Sequence, residues 1–386
     1  MNILYFWYHE RNPEMGGVER VTASWIDYFT HHPDQGITAY SLSWRKPMEK
    51  RINEYSLPDQ SDLASVANIE ALAQLLRDLD IKIIINQAGE ADWVVRFMRQ
   101  AIGDLDIRIC SVLHSNPDYP LYRLNCDLEK KFRNSSFSPV TRIRRYLKIR
   151  RNTRRLTKRW LQIIQQSDLF ILLSESYFDK FDDKHFKGLK HKFRAIPNSS
   201  PFTNNTSGFS TEKQLLFVGR IENDPKMVKD LIDVWQHVSV QNPEWKFSLV
   251  GDGQDKEALI EQTKQRKIKN IFFYDSQNPV PFYQHASILC MASKTEGLPM
   301  VQIESLQFGL AQIAYGSFES ITDTISDHKN GFIIKPFDQE QYIRQLNTLL
   351  KDEHLRHQFQ QESINMRSKF QEKEIAQKWI NLFNSL

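Results

Sequence analysis

Cysteine is scarce in this sequence. The three in 386 residues, Cys110, Cys126 and Cys290, are odd in number and widely spaced. That spacing speaks against a disulfide framework and against a zinc site, and it fits a reducing compartment, the cytoplasm. Long apolar runs are missing too. No stretch approaches the roughly 20 apolar residues that a membrane span needs. The opening Met1–Tyr8 run has no basic region ahead of it, and His9, Glu10 and Arg11 end it too soon for a signal peptide. Acids are missing from one place. Between Arg142 and Arg159 lie ten Lys or Arg residues and no Asp or Glu, so the rest of the chain carries −6 against +4 for the whole. The basic character is local, and nucleic acid, which wants a continuing basic track, is not an expected partner.

What is present looks globular. Apolar residues make up 40% and charged residues 25%, which excludes a disordered or fibrous chain. The length exceeds what one core supports, so two domains are expected. Near-continuous apolar runs at 3–8, 37–44, 81–86, 107–114 and 169–173 read as strands buried on both faces, with helical spacing at 67–80 and 91–102 between them. Strand-helix alternation resumes after a polar, Pro/Ser/Asn-rich stretch, with strands expected at 215–218, 245–250, 271–274, 287–291, 311–315 and 332–334. The reading is therefore two doubly wound α/β domains, 1–198 and 214–370, joined by a linker at 199–213 and followed by a terminal helix at 371–386. Ligands of such sheets gather at the carboxyl ends of the strands.

The candidate residues follow from that rule. Gly219-Arg220 ends one strand and Lys226 follows six residues on, two cations that could neutralise a diphosphate or be ordinary surface charges. Gly251 and Gly253, in Val250-Gly251-Asp252-Gly253, read mainly as turn residues. The richest segment runs from Ser293 to Glu304. There a strand enters a glycine loop, Pro299 marks a helix start, and Gly309 marks its end. The free amides of Gly297, Leu298, Met300 and Val301 would suit an anion. Glu296 and Glu304 nearby would suit hydroxyl-rich groups, whereas simple dipole complementation explains Glu304 hardly at all. In the first domain Gly16-Gly17 precedes a helix, and His114 ends a strand, either a ligand contact or a structural histidine. Asp78-Leu79-Asp80 and Asp104-Leu105-Asp106 fall at helix-to-strand turns, so no metal is expected.

These pieces, in this order, resemble the retaining glycosyltransferase family numbered four, which has the GT-B fold of two Rossmann-like domains facing a central cleft. Gly16-Gly17-x-Glu19-Arg20 resembles its N-terminal glycine loop, Gly219-Arg220 with Lys226 its diphosphate-binding pair, and Glu296-x7-Glu304 its Glu-x7-Glu signature. The likeness covers nearly the whole chain and is clearest from Leu215 to Pro336, with a flavour of members that build bacterial surface polysaccharides. It implies a metal-independent hexosyltransferase using a nucleotide sugar, a UDP-sugar before others, as co-substrate, with no cofactor. Arg220 and Lys226 would hold the diphosphate, Glu304 the ribose, and Glu296 and His114 the donor sugar, while Gly17 would approach the phosphates. The acceptor would be a saccharide, free or polyprenyl-linked, on the side of the N-terminal domain. The terminal helix would cross back to that domain. Met227 departs from the family's usual glycine, and Leu298 stands where an aromatic is frequent.

The basic segment carries Ile143, Tyr146, Leu147, Ile149 and Leu156 among its cations, with Trp160 after it. Arg144, Arg145, Arg151, Arg155 and Trp160 are expected to face an anionic membrane or the acceptor, at the inner face of the plasma membrane. The plainer reading is a solvated helix face. Outside the transferase class, a sugar-nucleotide epimerase or hydrolase of the same fold is the alternative.

Overall fold

The computed structural model describes residues 1–9, 17–47, 51–132, 139–202 and 208–386, apart from the side chains of 129–132 and 139–142. Two compact units divide the chain: Met1–Pro197 with Ala376–Leu386, and Asn198–Ile375.

The first unit follows the order β1 (Asn2–Trp7), α1 (Gly17–His31), β2 (Thr38–Ser43), β3 (Glu54–Ser56), α2 (Val66–Asp78), β4 (Ile81–Asn86), α3 (Asp92–Ile102), β5 (Arg108–Leu113), α4 (Tyr119–Phe132), α5 (Pro139–Gln166), β6 (Leu169–Leu172), α6 (Asp183–Phe186) and β7 (Phe193–Ala195). Its strands form one parallel sheet ordered β3-β2-β1-β4-β5-β6-β7. Central strands such as Ile81–Asn86 are apolar almost throughout because helices cover both faces. Phe6, Ile84, Ile109 and Phe170 of the sheet meet Phe97, Met98 and Ile163 of the helices in its core. Asp80, in the turn between α2 and β4, takes a left-handed φ of +47° and pairs with Lys82.

The 28-residue α5 answers the question left by the basic run. Its last turns bury Leu156, Trp160, Ile163 and Ile164. Trp160 is only 4% exposed and packs against Phe170 and Phe181, at 6.1 and 6.2 Å. Trp160 is therefore a core residue and not part of a membrane-facing surface. Its position in the sequence followed the cations, but helical phase turns it to the sheet with Leu156 and Ile163. Arg144, Arg145, Arg151 and Arg155 are exposed. So are Ile143, Tyr146 and Leu147, at 58, 63 and 56%.

The second unit runs β8 (Gln214–Val218), α7 (Val228–Ser239), β9 (Lys246–Val250), α8 (Lys256–Gln265), β10 (Ile271–Tyr274), α9 (Val280–His285), β11 (Ile288–Met291), α10 (Met300–Gln307), β12 (Ala311–Tyr315), α11 (Ile321–Thr324), β13 (Gly331–Ile334), α12 (Gln339–Lys351) and α13 (Glu353–Met366). The sheet is again parallel, ordered β10-β9-β8-β11-β12-β13. Leu215, Leu249 and Ile313 pack with Trp235, Trp245 and Tyr342 in its core. Asp338 and Asp352 cap α12 and α13 through their side chains.

The stretch expected as a linker belongs largely to this second unit. The Ser200 amide donates to Phe370 O at 2.8 Å, Phe202 packs on Phe308, and Ser210 O accepts from Gln360 Nε2 at 2.7 Å. Polar composition marks it as a loop and is blind to those partners. The closing helix, α14 (Glu372–Asn384), begins in the second unit, but from Ala376 it is counted with the first, where Phe383 meets Phe29.

Candidate functional site

The strand order of the second, all-parallel sheet reverses between β8 and β11, and such a switch point is where open α/β sheets take ligands. β8 opens there into Gly219-Arg220, and β11 into Ser293-Lys294-Thr295-Glu296. Two motifs predicted separately thus leave neighbouring strands. Lys226 Nζ donates to Glu296 Oε1 at 2.5 Å, with the side chains 19% and 15% exposed. Two further bonds join the loops: the Lys294 amide donates to Pro225 O at 2.9 Å, and Lys294 Nζ lies 3.2 Å from Asp224 Oδ1.

Arg220 is more open, with a side chain 64% exposed and its Nη2 3.1 Å from Glu222 Oε1. Met227 precedes α7 with φ +53°, in the left-handed region where glycine is the easy residue. Met227 thus holds a conformation that glycine adopts without strain.

Gly219 and Gly251 matter to each other. The Gly219 amide donates to Val250 O, and both residues have φ +144°. A Cβ on Gly251 would stand 2.0 Å from Gly219 O, and one on Gly253 would stand 2.4 Å from Ile221 O. Gly251 and Gly253 are thus more than turn residues. They let the loops after β8 and β9 touch.

In α10 the first helical bonds run from Gln302 and Ile303 to Pro299 O. The amides of Gly297, Leu298, Met300 and Val301 therefore precede the ladder, at the positive end of the helix. Glu304 is the fifth residue of α10 and 1% exposed, and it accepts a hydrogen bond from Tyr283 Oη at 2.8 Å.

In the first unit the corresponding switch lies between β1 and β4. His114 follows β5 and bonds through Nε2 to Gln87 Oε1 at 2.7 Å. With a carboxamide oxygen as partner, Nε2 carries the proton and Nδ1 can accept. Burial pushes the imidazole down to about 4, so it is neutral near pH 7. Gly17 is the first residue of α1, and among the described residues a Cβ there would meet nothing within 4 Å. Gly16 lies outside the described residues.

The sequence reading missed Gln87, Tyr283, Glu222 and Lys294. Gln87 had a signal, since it follows a strand's carboxyl end as His114 does. Tyr283 had none, because it reaches Glu304 only through tertiary packing.

Comparison with known proteins sets similar proteins beside this geometry. Residues 201–366 match the family model described as Glycosyl transferases group 1. The chain is similar to the Campylobacter jejuni protein named GalNAc-alpha-(1->4)-GalNAc-alpha-(1->3)-diNAcBac-PP-undecaprenol alpha-1,4-N-acetyl-D-galactosaminyltransferase. The two are 29% identical over 176 residues, 46% of this chain and 49% of that one. It is also 29% identical to the amylovoran biosynthesis glycosyltransferase AmsD of Erwinia amylovora, over 49% of this chain and 55% of that protein. The chain spans about half the length of these curated relatives. Among solved structures, Anabaena Alr3699/HepE in complex with UDP superposes with a TM-score of 0.71 at 14% identity, covering 100% of both chains. At that identity the likeness is one of fold, and it matches the two parallel-sheet units to GT-B structures. The likeness to glycosyl transferases group 1 is thus placed on residues 201–366, the stretch that holds most of the second unit.

Proposed function

We propose that the chain transfers a hexosyl group from a nucleotide sugar, a UDP-sugar before others, to a saccharide or polyprenyl-linked saccharide acceptor in bacterial surface polysaccharide synthesis. The observation that carries this reading is the meeting of Lys226 with Glu296 at the carboxyl ends of β8 and β11, ahead of the α10 amides. A diphosphate needs cations and amide donors, and a sugar needs acceptors. Both kinds of group converge here. The relatives' names, which concern an undecaprenol-linked saccharide and amylovoran, support the acceptor class.

In this proposal Arg220 and Lys226 hold the diphosphate and neutralise the charge that grows as it leaves. Gly297, Leu298, Met300 and Val301 offer amides to phosphate or sugar, and Glu304 holds the ribose hydroxyls. Glu296 keeps Lys226 in place and contacts the donor sugar. Neutral His114 gives the sugar a hydrogen-bonding partner that does not repel the sugar's developing positive charge, and Gly17 admits the phosphates. The reaction retains configuration. The acceptor oxygen attacks on the face the diphosphate leaves, the old C–O bond breaks as the new one forms, and a departing phosphate oxygen takes the proton. Arg220 and Lys226 supply the positive charge that this step calls for, so the proposal includes no metal ion and no cofactor.

We place the protein at the inner face of the plasma membrane. The exposed cations and apolar residues at the start of α5 suit an anionic bilayer.

The test is a panel of UDP- and GDP-sugars, scored for binding and for transfer to saccharide acceptors. Tight binding of one donor with acceptor-dependent turnover supports the reading. Donor consumption that ignores acceptors points to the epimerase or hydrolase class, and failure of every donor to bind removes the proposal.

A further inference from the structure

Glu304 is held from outside its own helix. Tyr283, on the short α9, is fully buried, and its hydroxyl donates to Glu304 Oε2 at 2.8 Å. Its ring lies flat against Phe308, with centroids 5.3 Å apart and planes 12° apart. Phe308 follows Glu304 by four residues, which puts the two on one face of the helix. Phe202 packs on the tyrosine as well, with centroids 6.3 Å apart, and on Phe308 itself at 5.8 Å. The tyrosine is thus clamped by its ring while its O–H is aimed at the carboxylate. In a buried setting such a hydrogen bond fixes the plane of the group that accepts it.

We propose that Tyr283 is a positioning residue for nucleoside recognition: it sets the orientation in which the Glu304 carboxylate meets the vicinal hydroxyls of the donor's ribose. The inference rests on the proposed function, specifically on Glu304 as the ribose contact. Two hydroxyls on adjacent carbons demand an acceptor whose plane is defined before they arrive, because ordering it on binding costs affinity. Neither α9 nor Phe308 need touch the ligand for this to work.

The experiment compares wild type with Tyr283→Phe, which keeps the ring stack and removes the hydroxyl. Affinities are measured by titration calorimetry for whichever of UDP and GDP binds the wild type, and for the 2′,3′-dideoxy form of the same nucleotide. The expected result is about a tenfold loss for the ribonucleotide in Y283F with no loss for the dideoxy form, and a raised donor KM at a nearly unchanged kcat. Equal weakening of both nucleotides would show a merely structural role and overturn the proposal, as would an unchanged ribonucleotide affinity. A wild type that binds both forms alike removes the Glu304 assignment and this inference with it. A wild type that binds neither nucleotide defeats the proposed function itself. Should Y283F fail to fold, Phe308→Leu keeps the hydroxyl and loosens the ring. It should give a smaller loss confined to the ribonucleotide, and a loss shared by the dideoxy form overturns the idea.

Discussion

Lys226 and Glu296, 70 residues apart in sequence, form an ion pair at 2.5 Å in which both side chains are largely enclosed. The lysine cannot be removed without leaving a carboxylate behind. Lys226→Ala is expected to lower kcat by about 10²–10³ through loss of charge on the leaving diphosphate. It should also cost about 1–3 kcal/mol in stability, because an enclosed carboxylate loses its paired cation. Adding Glu296→Ala should restore part of the stability and none of the activity. Steady-state kinetics and urea denaturation of both variants decide it, and near-normal turnover in K226A would end the diphosphate assignment.

Glycines at two places should separate folding from binding. Gly251→Ala drives a Cβ to 2.0 Å from Gly219 O in a backbone of φ +144°, so the expected loss exceeds about 4 kcal/mol. Gly17→Ala meets none of the described residues within 4 Å, and its stability should stay within about 0.5 kcal/mol of wild type while diphosphate affinity falls about tenfold. Thermal melts and nucleotide titrations on the two variants give the contrast. A G17A protein that binds as well as wild type would relieve Gly17 of its role.

His114 should stay neutral where an ordinary histidine charges. Its folded value of about 4 lies below the usual 6.5, so between those two pH values the unfolded chain takes up a proton that the folded chain refuses. The stability tied to this ring is therefore complete above about pH 6.5 and is lost as the pH falls towards 4. The imidazole resonances of His114 should show no titration from pH 8 down to 5. A midpoint near 6.5 would contradict the half-buried, Gln87-bound ring.

The two ends of α5 should respond differently to mutation. Neutralising Arg144, Arg145, Arg151 and Arg155 together removes about 1 kcal/mol each, or roughly a thousandfold in binding to anionic vesicles, with the fold intact. Ile143→Ser with Leu147→Ser should weaken the same binding at high salt. Trp160→Ala should instead cost about 3–5 kcal/mol of stability, since that ring lies in the core. Flotation with phosphatidylglycerol vesicles and thermal melts separate these effects; binding that survives loss of the four arginines removes their part in it, and a wild type that fails to float removes the membrane role.

Much of this architecture was legible in the order of residues. Strands buried on both faces announce themselves, as Ile81–Asn86 and Ala311–Tyr315 do, because no polar alternation competes with the apolar signal. Short edge strands do not. Glu54–Ser56 and Phe193–Ala195 have three residues each, too few for any period to show. At the site, glycine, proline and charged residues marked the loops after β8 and β11. Their union was hidden, because strand order is settled by packing and not by local sequence. Trp160 shows the opposite failure, where nearness to a run of cations outweighed the helical phase that buries it.

The adjacency of β8 and β11 gives the second unit a property beyond recognition. α7, β9, α8, β10 and α9 are all inserted between two strands that lie side by side, so the middle of that sheet is closed by contacts between distant parts of the chain. A ligand gripping Lys226 and the α10 amides together would act as a removable clasp across that seam. At a hundred times its dissociation constant it adds about 2.7 kcal/mol to the stability of whatever must open to release it. The donor would then be a folding effector as well as a reactant, and the sheet would be loosest in the interval after one nucleotide leaves and before the next arrives.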